Sequence, residues 1–335
     1  MTTFKVMTWN VENLFRPALN APQAEQERYE QKLALLADVI NQHNPDVVAL
    51  QETGGLEPLQ DLQEALGGTY PRILVSAFPD GRGIRVAFLS QLPVSGQADI
   101  VDFPSGPALD VHTLTATGDS HPIRRLGRGA LWIRVTKNGQ PFHLITAHLK
   151  SKLLSYPRVG GSSFAPRDET ERAQVAGIAL MRRMAEAVTL RLQANTLLSG
   201  NEQTPLLLLG DFNDVPDAQT SLLLTGPSGS EIGTSGFDRP DRGDDVRLFN
   251  LAPLITAERR YSRINNGRPE LLDQIFASEE LFPVEVNKKR RLPLVDSLID
   301  FVDHLPSVGD DPATRDTATA PDHAPVVATF VWGTS

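Results

Sequence analysis

The chain has 335 residues, 40% of them hydrophobic and 22% charged, a composition ordinary for a globular protein. Its formal net charge of −9 argues against a protein that grips nucleic acid through many phosphates, and less against an enzyme, which needs only a local positive channel. There is no cysteine, so disulfides and thiolate metal ligands are excluded and any metal must sit on oxygen or imidazole.

Phe4–Trp9 opens the chain as an alternating strand pattern, without a basic segment followed by an apolar one, and no later stretch is apolar enough to span a bilayer. The expectation is a cytoplasmic protein without stable membrane association, and nothing in the sequence identifies a protein partner. An amphipathic helix is predicted from Gln23 to His43, followed by strands at Asp46–Leu50, Arg72–Val75 and Ile84–Leu89. Ala130–Val135 and Phe142–Ala147 read as two strands joined at a hairpin turn by Asn138-Gly139. A second helix is predicted from Arg167 to Ala194, where Val175, Ile178, Ala179, Met181 and Leu190 recur with helical spacing. Leu206–Leu209, Leu272–Ala277 and Val326–Trp332 complete the strands. Gly226–Asp245 and Val308–Pro321 read as loops, rich in Gly, Asp, Pro, Ser and Thr.

A weak internal echo organises these elements. Phe4–Asn10, a helix and Asp46–Glu52 resemble Phe142–His148, a helix and Leu206–Asp211. Each unit is a strand, a crossover helix and a parallel strand. The second strand of each pair, Val-Val-Ala-Leu or Leu-Leu-Leu-Leu, is apolar throughout and suits burial on both faces. Two such halves predict an α/β chain with a four-layer sandwich, two packed mixed sheets flanked by helices, forming one domain over residues 1–335.

The strands of the early and middle chain run into Asn10, Glu52, His148 and Asp211. Late in the chain the order inverts: Asp273 and His323 come first and the apolar runs follow. If the late strands run antiparallel to the early ones, all six residues meet at one rim, where open α/β sheets place ligands. Carboxylates and an amide without cysteine suit a hard cation such as Mg²⁺ or Mn²⁺. Phosphodiester hydrolysis needs a metal to neutralise phosphate charge, an oriented water, donors for the phosphoryl oxygens and help for the leaving oxygen.

Six segments in order carry a resemblance: Thr8-Trp-Asn-Val-Glu-Asn13, Leu50-Gln-Glu52, Ala147-His-Leu-Lys-Ser151, Leu209-Gly-Asp-Phe-Asn213, Leu272-Asp-Gln-Ile-Phe276 and Pro321-Asp-His323. Together they resemble the ordered signature of the endonuclease/exonuclease/phosphatase superfamily, the DNase I-like metal-dependent phosphoesterases. The resemblance implies Glu52 as main metal ligand, with Asn10 and Asp322 close to the ion and Glu12 in support. It implies that Asp211 orients or deprotonates the attacking water and that Asn213 holds the phosphate or that aspartate. His323, oriented by Asp273, would contact the phosphate or assist the leaving group, and His148 would stabilise the transition state. Lys150, two residues after His148, Arg85 in the strand Ile84–Leu89 and Arg172 on the second helix are candidate phosphate contacts, with Arg263 behind them.

The His-Leu form at His148 is unlike apurinic endonucleases, which usually carry tyrosine there. The segment Arg268-Pro-Glu-Leu-Leu-Asp-Gln lacks the longer signature of the inositol 5-phosphatases. Within that resemblance a nuclease or general phosphodiesterase remains, and the expectation is a Mg²⁺- or Mn²⁺-dependent DNA or RNA nuclease with nucleic acid as substrate. The alternatives are a phosphoesterase acting on a phospholipid headgroup or small ester, and a non-catalytic binding module of the same fold.

Overall fold

The computed structural model describes residues 2–105, 109–200, 204–226, 228–239, 246–284, 287, 289–300, 307–308 and 319–332. Two six-stranded mixed sheets dominate it. The first has the order β17 (Leu294–Ser297), β19 (Val326–Trp332), β1 (Thr2–Leu14), β2 (Val47–Thr53), β4 (Arg85–Ser90) and β3 (Arg72–Val75). The second has the order β13 (Leu248–Asn250), β16 (Asp273–Ser278), β12 (Leu206–Asp211), β9 (Gln140–His148), β8 (Arg125–Lys137) and β5 (Val94–Asp102). Smaller pairings decorate this frame: β6 (Val111–Leu114) with β7 (Ser120–Ile123), and β10 (Tyr156–Arg158) with β11 (Gly161–Ser163). A third joins β14 (Arg263–Asn265), β15 (Arg268–Glu270) and β18 (Ser307–Val308).

Alternating side chains explain the layering. Phe4, Val6, Val47, Ala49, Val86 and Phe88 of the first sheet meet Leu131, Ile133, Phe142, Leu144, Leu207 and Leu209 of the second in one buried cluster. Phe4 stacks on Phe142 across that seam, with ring centroids 4.1 Å apart. The opposite faces are equally apolar and take helices. Met7, Trp9, Val48 and Leu50 pack under α1 (Gln23–His43) and α2 (Leu56–Ala65). Ile145, Ala147, Leu206 and Leu208 pack under α3 (Glu169–Leu198), beside which lies the short α4 (Gln219–Leu222). The result is the helix–sheet–sheet–helix sandwich that the apolar runs predict, because strands covered on both faces cannot alternate apolar with polar.

Both echoed units are present. β1 pairs in parallel with β2 across α1, and β9 pairs in parallel with β12 across α3. β19 runs antiparallel to β1, and β16 antiparallel to β12. The second helix begins two residues later than the periodicity suggests because Asp168 caps it, its side chain accepting from the Glu171 N–H at 2.8 Å. It also runs on to Leu198. The predicted loop Gly226–Asp245 is loop wherever it is described, and most of Val308–Pro321 lies outside the described residues. No helix among the described residues is long and apolar enough to cross a membrane.

Candidate active site

The opposed strand directions bring the polar strand ends to one rim. Asp211 at the end of β12 pairs in register with His148 at the end of β9 on one side, and with Asp273 at the start of β16 on the other. Asn10 and Glu52 arrive from the other sheet, Asn10 where the regular pairing of β1 with β2 breaks and Glu52 next to the end of β2. Asp322 and His323 precede β19, which lies beside β1.

Backbone strain marks the same positions. Glu12, Asn13, Glu52 and Asn213 all have positive φ, at 44°, 55°, 61° and 52°. Asparagine tolerates this region, but glutamate adopts it at a cost of roughly 1–2 kcal/mol. A strand that ends in a left-handed glutamate turns that side chain out of its normal alternation. β2 has a register irregularity between Gln51 and Thr53, which places Glu52 at the break.

Asp211 is the hub. Asn10 Nδ2 donates to its Oδ2 at 2.9 Å, His148 Nε2 lies 3.3 Å from the same oxygen, and the Asn213 N–H donates to Oδ1 at 2.8 Å. Burial raises the Asp211 carboxyl to about 6, against the opposing pull of His323. His148 is driven the other way, well below the usual imidazole value, by burial first and then by the positive charges of Arg128 and His323. His323 Nδ1 sits 2.6 Å from Asp273 Oδ2. Burial opposes its charge, but the Asp273 charge and hydrogen bond, aided by Asp322 and Asp211, overcome that and raise His323 to about 10. At neutral pH the rim therefore holds a neutral His148 and a protonated His323 around a poised carboxylate.

The acids form a second group. Glu52 Oε1 lies 3.5 Å from Asn10 Nδ2 and 3.9 Å from His148 Nε2, both long for hydrogen bonds, and its side chain keeps 16% of its surface exposed. Glu12 Oε2 accepts the Asp322 N–H at 2.9 Å, and Asn10 Oδ1 accepts the Glu12 N–H at 3.0 Å. Glu52, Asn10, Glu12 and Asp322 offer only oxygen as ligand atoms, which fits a hard divalent cation. Among the described residues no three acidic or histidine side chains already converge at ligand distance. The fit therefore rests on the donor chemistry and on the weakly engaged Glu52 carboxylate.

The basic candidates are spread more widely. Lys150 is half-buried, its ammonium donating to the Ser151 and Leu153 carbonyls at 3.0 and 3.2 Å, and burial lowers it to about 8. Arg85 opens β4 beside Thr53 and donates to the Ser76 carbonyl at 2.8 Å. Arg172 lies exposed in the first turn of α3, paired with Glu169, and makes no described contact with the rim.

Of three further cations at the rim or beside it, Arg263 was a weaker candidate in the sequence, and Arg128 and Lys32 escaped it. Arg263 Nη2 pairs with Asp322 Oδ2 at 2.9 Å. Arg128 reaches the Leu149 carbonyl at 3.2 Å and Asp80 at 3.3 Å. Buried Lys32 donates to the Glu12 carbonyl and lies in the fields of Glu12, Glu52 and Asp322. Lys32 was detectable: it falls on the apolar stripe of α1 with Tyr29, Leu33, Leu36 and Ile40, where a solvated lysine does not belong. Arg128 gave less warning, since β8 extends five residues before the predicted strand.

Comparisons with known proteins agree with this architecture. Residues 7–297 match the Endonuclease/Exonuclease/phosphatase family. No curated protein sequence matches the chain. Truncated Caenorhabditis elegans TDP2 is similar in structure, with a TM-score of 0.55 and 16% identity over 98% of this chain and 97% of that one. D. rerio TDP2 complexed with single strand DNA product has a TM-score of 0.53 and 14% identity over 99% and 100% of the two chains. The human Nocturnin catalytic domain with bound sulfate anion has a TM-score of 0.53 and 18% identity over 98% and 94%. At these identities the structures testify to fold alone. With the family match spanning most of its length, the chain belongs to the Endonuclease/Exonuclease/phosphatase family, whose members are phosphoester hydrolases.

Proposed function

We propose that this chain hydrolyses phosphodiester bonds of nucleic acid with the help of Mg²⁺ or Mn²⁺. The observation that carries the reading is Asp211, a buried carboxylate raised to about 6 and held among Asn10, His148 and the Asn213 N–H. A base poised near neutrality is suited to take a proton from water.

Glu52, with Asn10 and Asp322, would hold the cation, and Glu12 would fix Asp322 through its N–H. When bound, the ion supplies charge neutralisation at the phosphate. The remaining chemistry belongs to side chains. Asp211 accepts the proton of the attacking water. His323, kept protonated by Asp273, donates to a phosphoryl oxygen or to the leaving oxygen. His148, neutral, donates one N–H to charge that grows in the transition state. Asn213 keeps Asp211 in place through its backbone N–H. Lys150, Arg85 and the fields of Arg128 and Arg263 favour an anionic substrate. A net charge of −9 disfavours long duplex gripped at many phosphates and suits contact with a short single-stranded stretch. The single strand DNA product in the D. rerio TDP2 complex supports the same direction.

The test is a substrate panel with Mg²⁺ or Mn²⁺: plasmid, single-stranded DNA, RNA and a phosphodiester dye. Cleavage of polynucleotides is the expected result. Turnover of the small ester with intact polynucleotides overturns the nucleic-acid assignment.

A further inference from the structure

His148 has an orientation problem. Its Nδ1 is buried without a hydrogen-bond partner among the described residues. A functional imidazole is usually aimed by a bond on its second nitrogen. Here the aim of Nε2 at Asp211 depends on where the backbone carries the ring.

That backbone is held with unusual completeness. The Leu149 N–H donates to the Asp211 carbonyl at 2.9 Å. The Leu149 carbonyl accepts from Asn213 Nδ2 at 3.0 Å and from Arg128 Nη1 at 3.2 Å. The next residue is clasped on both sides by α3. Glu186 Oε2 accepts the Lys150 N–H at 2.6 Å, and Arg183 Nη1 donates to the Lys150 carbonyl at 3.0 Å.

The same two helical residues reach further. Glu186 Oε1 accepts the N–H of Gly127, the neighbour of Arg128, at 3.1 Å. Arg183 Nε pairs with Asp214 Oδ2 at 3.1 Å, one residue beyond Asn213. Both side chains are almost fully buried, although glutamate and arginine rarely are. Three residues apart, they share one face of α3. Through them the helix ties the segment of Arg128, the segment of His148 and the segment of Asp211 and Asn213.

We propose that Glu186 and Arg183 form a positioning clamp that sets His148 against Asp211 and Arg128 against the Leu149 carbonyl. The role rests on the phosphodiesterase reading above. The ion pairs these residues make, Arg183 with Asp214 and Glu186 with Arg182, are weak evidence for stability, since apolar replacements often serve a fold as well. Its bonds go to the backbone of site-bearing segments, where small displacements are costly to rate.

The test is a double-mutant cycle read as kcat and KM on a phosphodiester dye and a single-stranded oligonucleotide, with thermal melting of each variant. Glu186→Gln keeps the side-chain shape but turns an amide donor toward one of the two N–H groups. We expect kcat to fall about tenfold or more, with KM within about twofold, as for other residues that orient a catalytic group. In a His148→Ala background the same change is expected to cost several-fold less, because its main target is gone and only the Arg128 side of the clamp is left. An equal loss in both backgrounds, or unchanged kcat, overturns the clamp. Arg183→Lys, which reaches only one of its two acceptors, replaces Glu186→Gln in the cycle if that variant fails to fold. A wild type that hydrolyses neither ester defeats the underlying phosphodiesterase reading instead.

Discussion

Asp211 concentrates the chemistry in one side chain, because Asn10, His148 and the Asn213 N–H all converge on its two oxygens. Asp211→Ala removes the proposed base and the anchor of its neighbours, so kcat is expected to drop at least roughly a hundredfold, the usual size for such a group. His323→Ala is expected to lose a similar factor. Asp273→Asn tests the cause of the His323 charge: losing the carboxylate removes the interaction that holds the imidazolium. Its kcat is expected to fall about tenfold to a hundredfold, and the Asp273→Asn/His323→Ala double variant to be no slower than His323→Ala alone. Steady-state kinetics on one phosphodiester decide all four variants, and additive losses would separate the two residues. The motif residues were legible because they lie at or beside the polar ends of apolar strand patterns. Glu186, Arg183 and Arg128 were not, since the contacts that tie them to the site-bearing segments lie 21 to 59 positions away and no local pattern records them.

The strands and helices impose their own tests. Gly210 has φ +153°, and a Cβ there would stand 2.0 Å from the Ala147 carbonyl oxygen. Only glycine lets β12 approach β9 this closely next to Asp211 and His148. Gly210→Ala is expected to destabilise the protein by about 2 kcal/mol or more, measured by urea unfolding, and to depress activity as β12 shifts. On the other flank, Asp61 of α2 accepts from Arg16 Nε at 2.6 Å and from the Tyr29 hydroxyl at 2.7 Å, joining the end of β1 to both helices. The Arg16 hydrogen bond holds the Asp61 carboxyl below its ordinary value of 3.8. A depressed carboxyl contributes stability above its unfolded value and loses it as pH falls through the folded one. The stability deficit of Asp61→Asn is therefore expected near pH 7 and should narrow between about pH 5 and about pH 3. A deficit constant over that range would contradict the pairing. The helix α2 has no counterpart among the elements predicted from the sequence. Pro58 occupies the third helical position, within the first turn, where its missing N–H costs no helical bond.

Taken whole, the molecule closes its rim with residues from Asn10 to His323, so nearly the full chain must fold before the site exists. The Trp9 indole donates to the His323 carbonyl at 2.8 Å, pinning the last site residue to the first strand. Apolar patterning made the layers readable because both sheets are buried on two faces, and strand polarity made the rim readable. The substrate was less readable, since it depends on side chains of loops and on the distribution of charge rather than on the sheets. The decisive experiment is a Mg²⁺ titration of hydrolysis of a single-stranded oligonucleotide by wild type and Glu52→Gln. The wild type is expected to saturate with Mg²⁺ and to lose activity in excess chelator, and Glu52→Gln to need roughly tenfold or more metal for half its rate. Undiminished cleavage in chelator, or identical metal curves for the two proteins, would contradict a cation held by Glu52 at this rim.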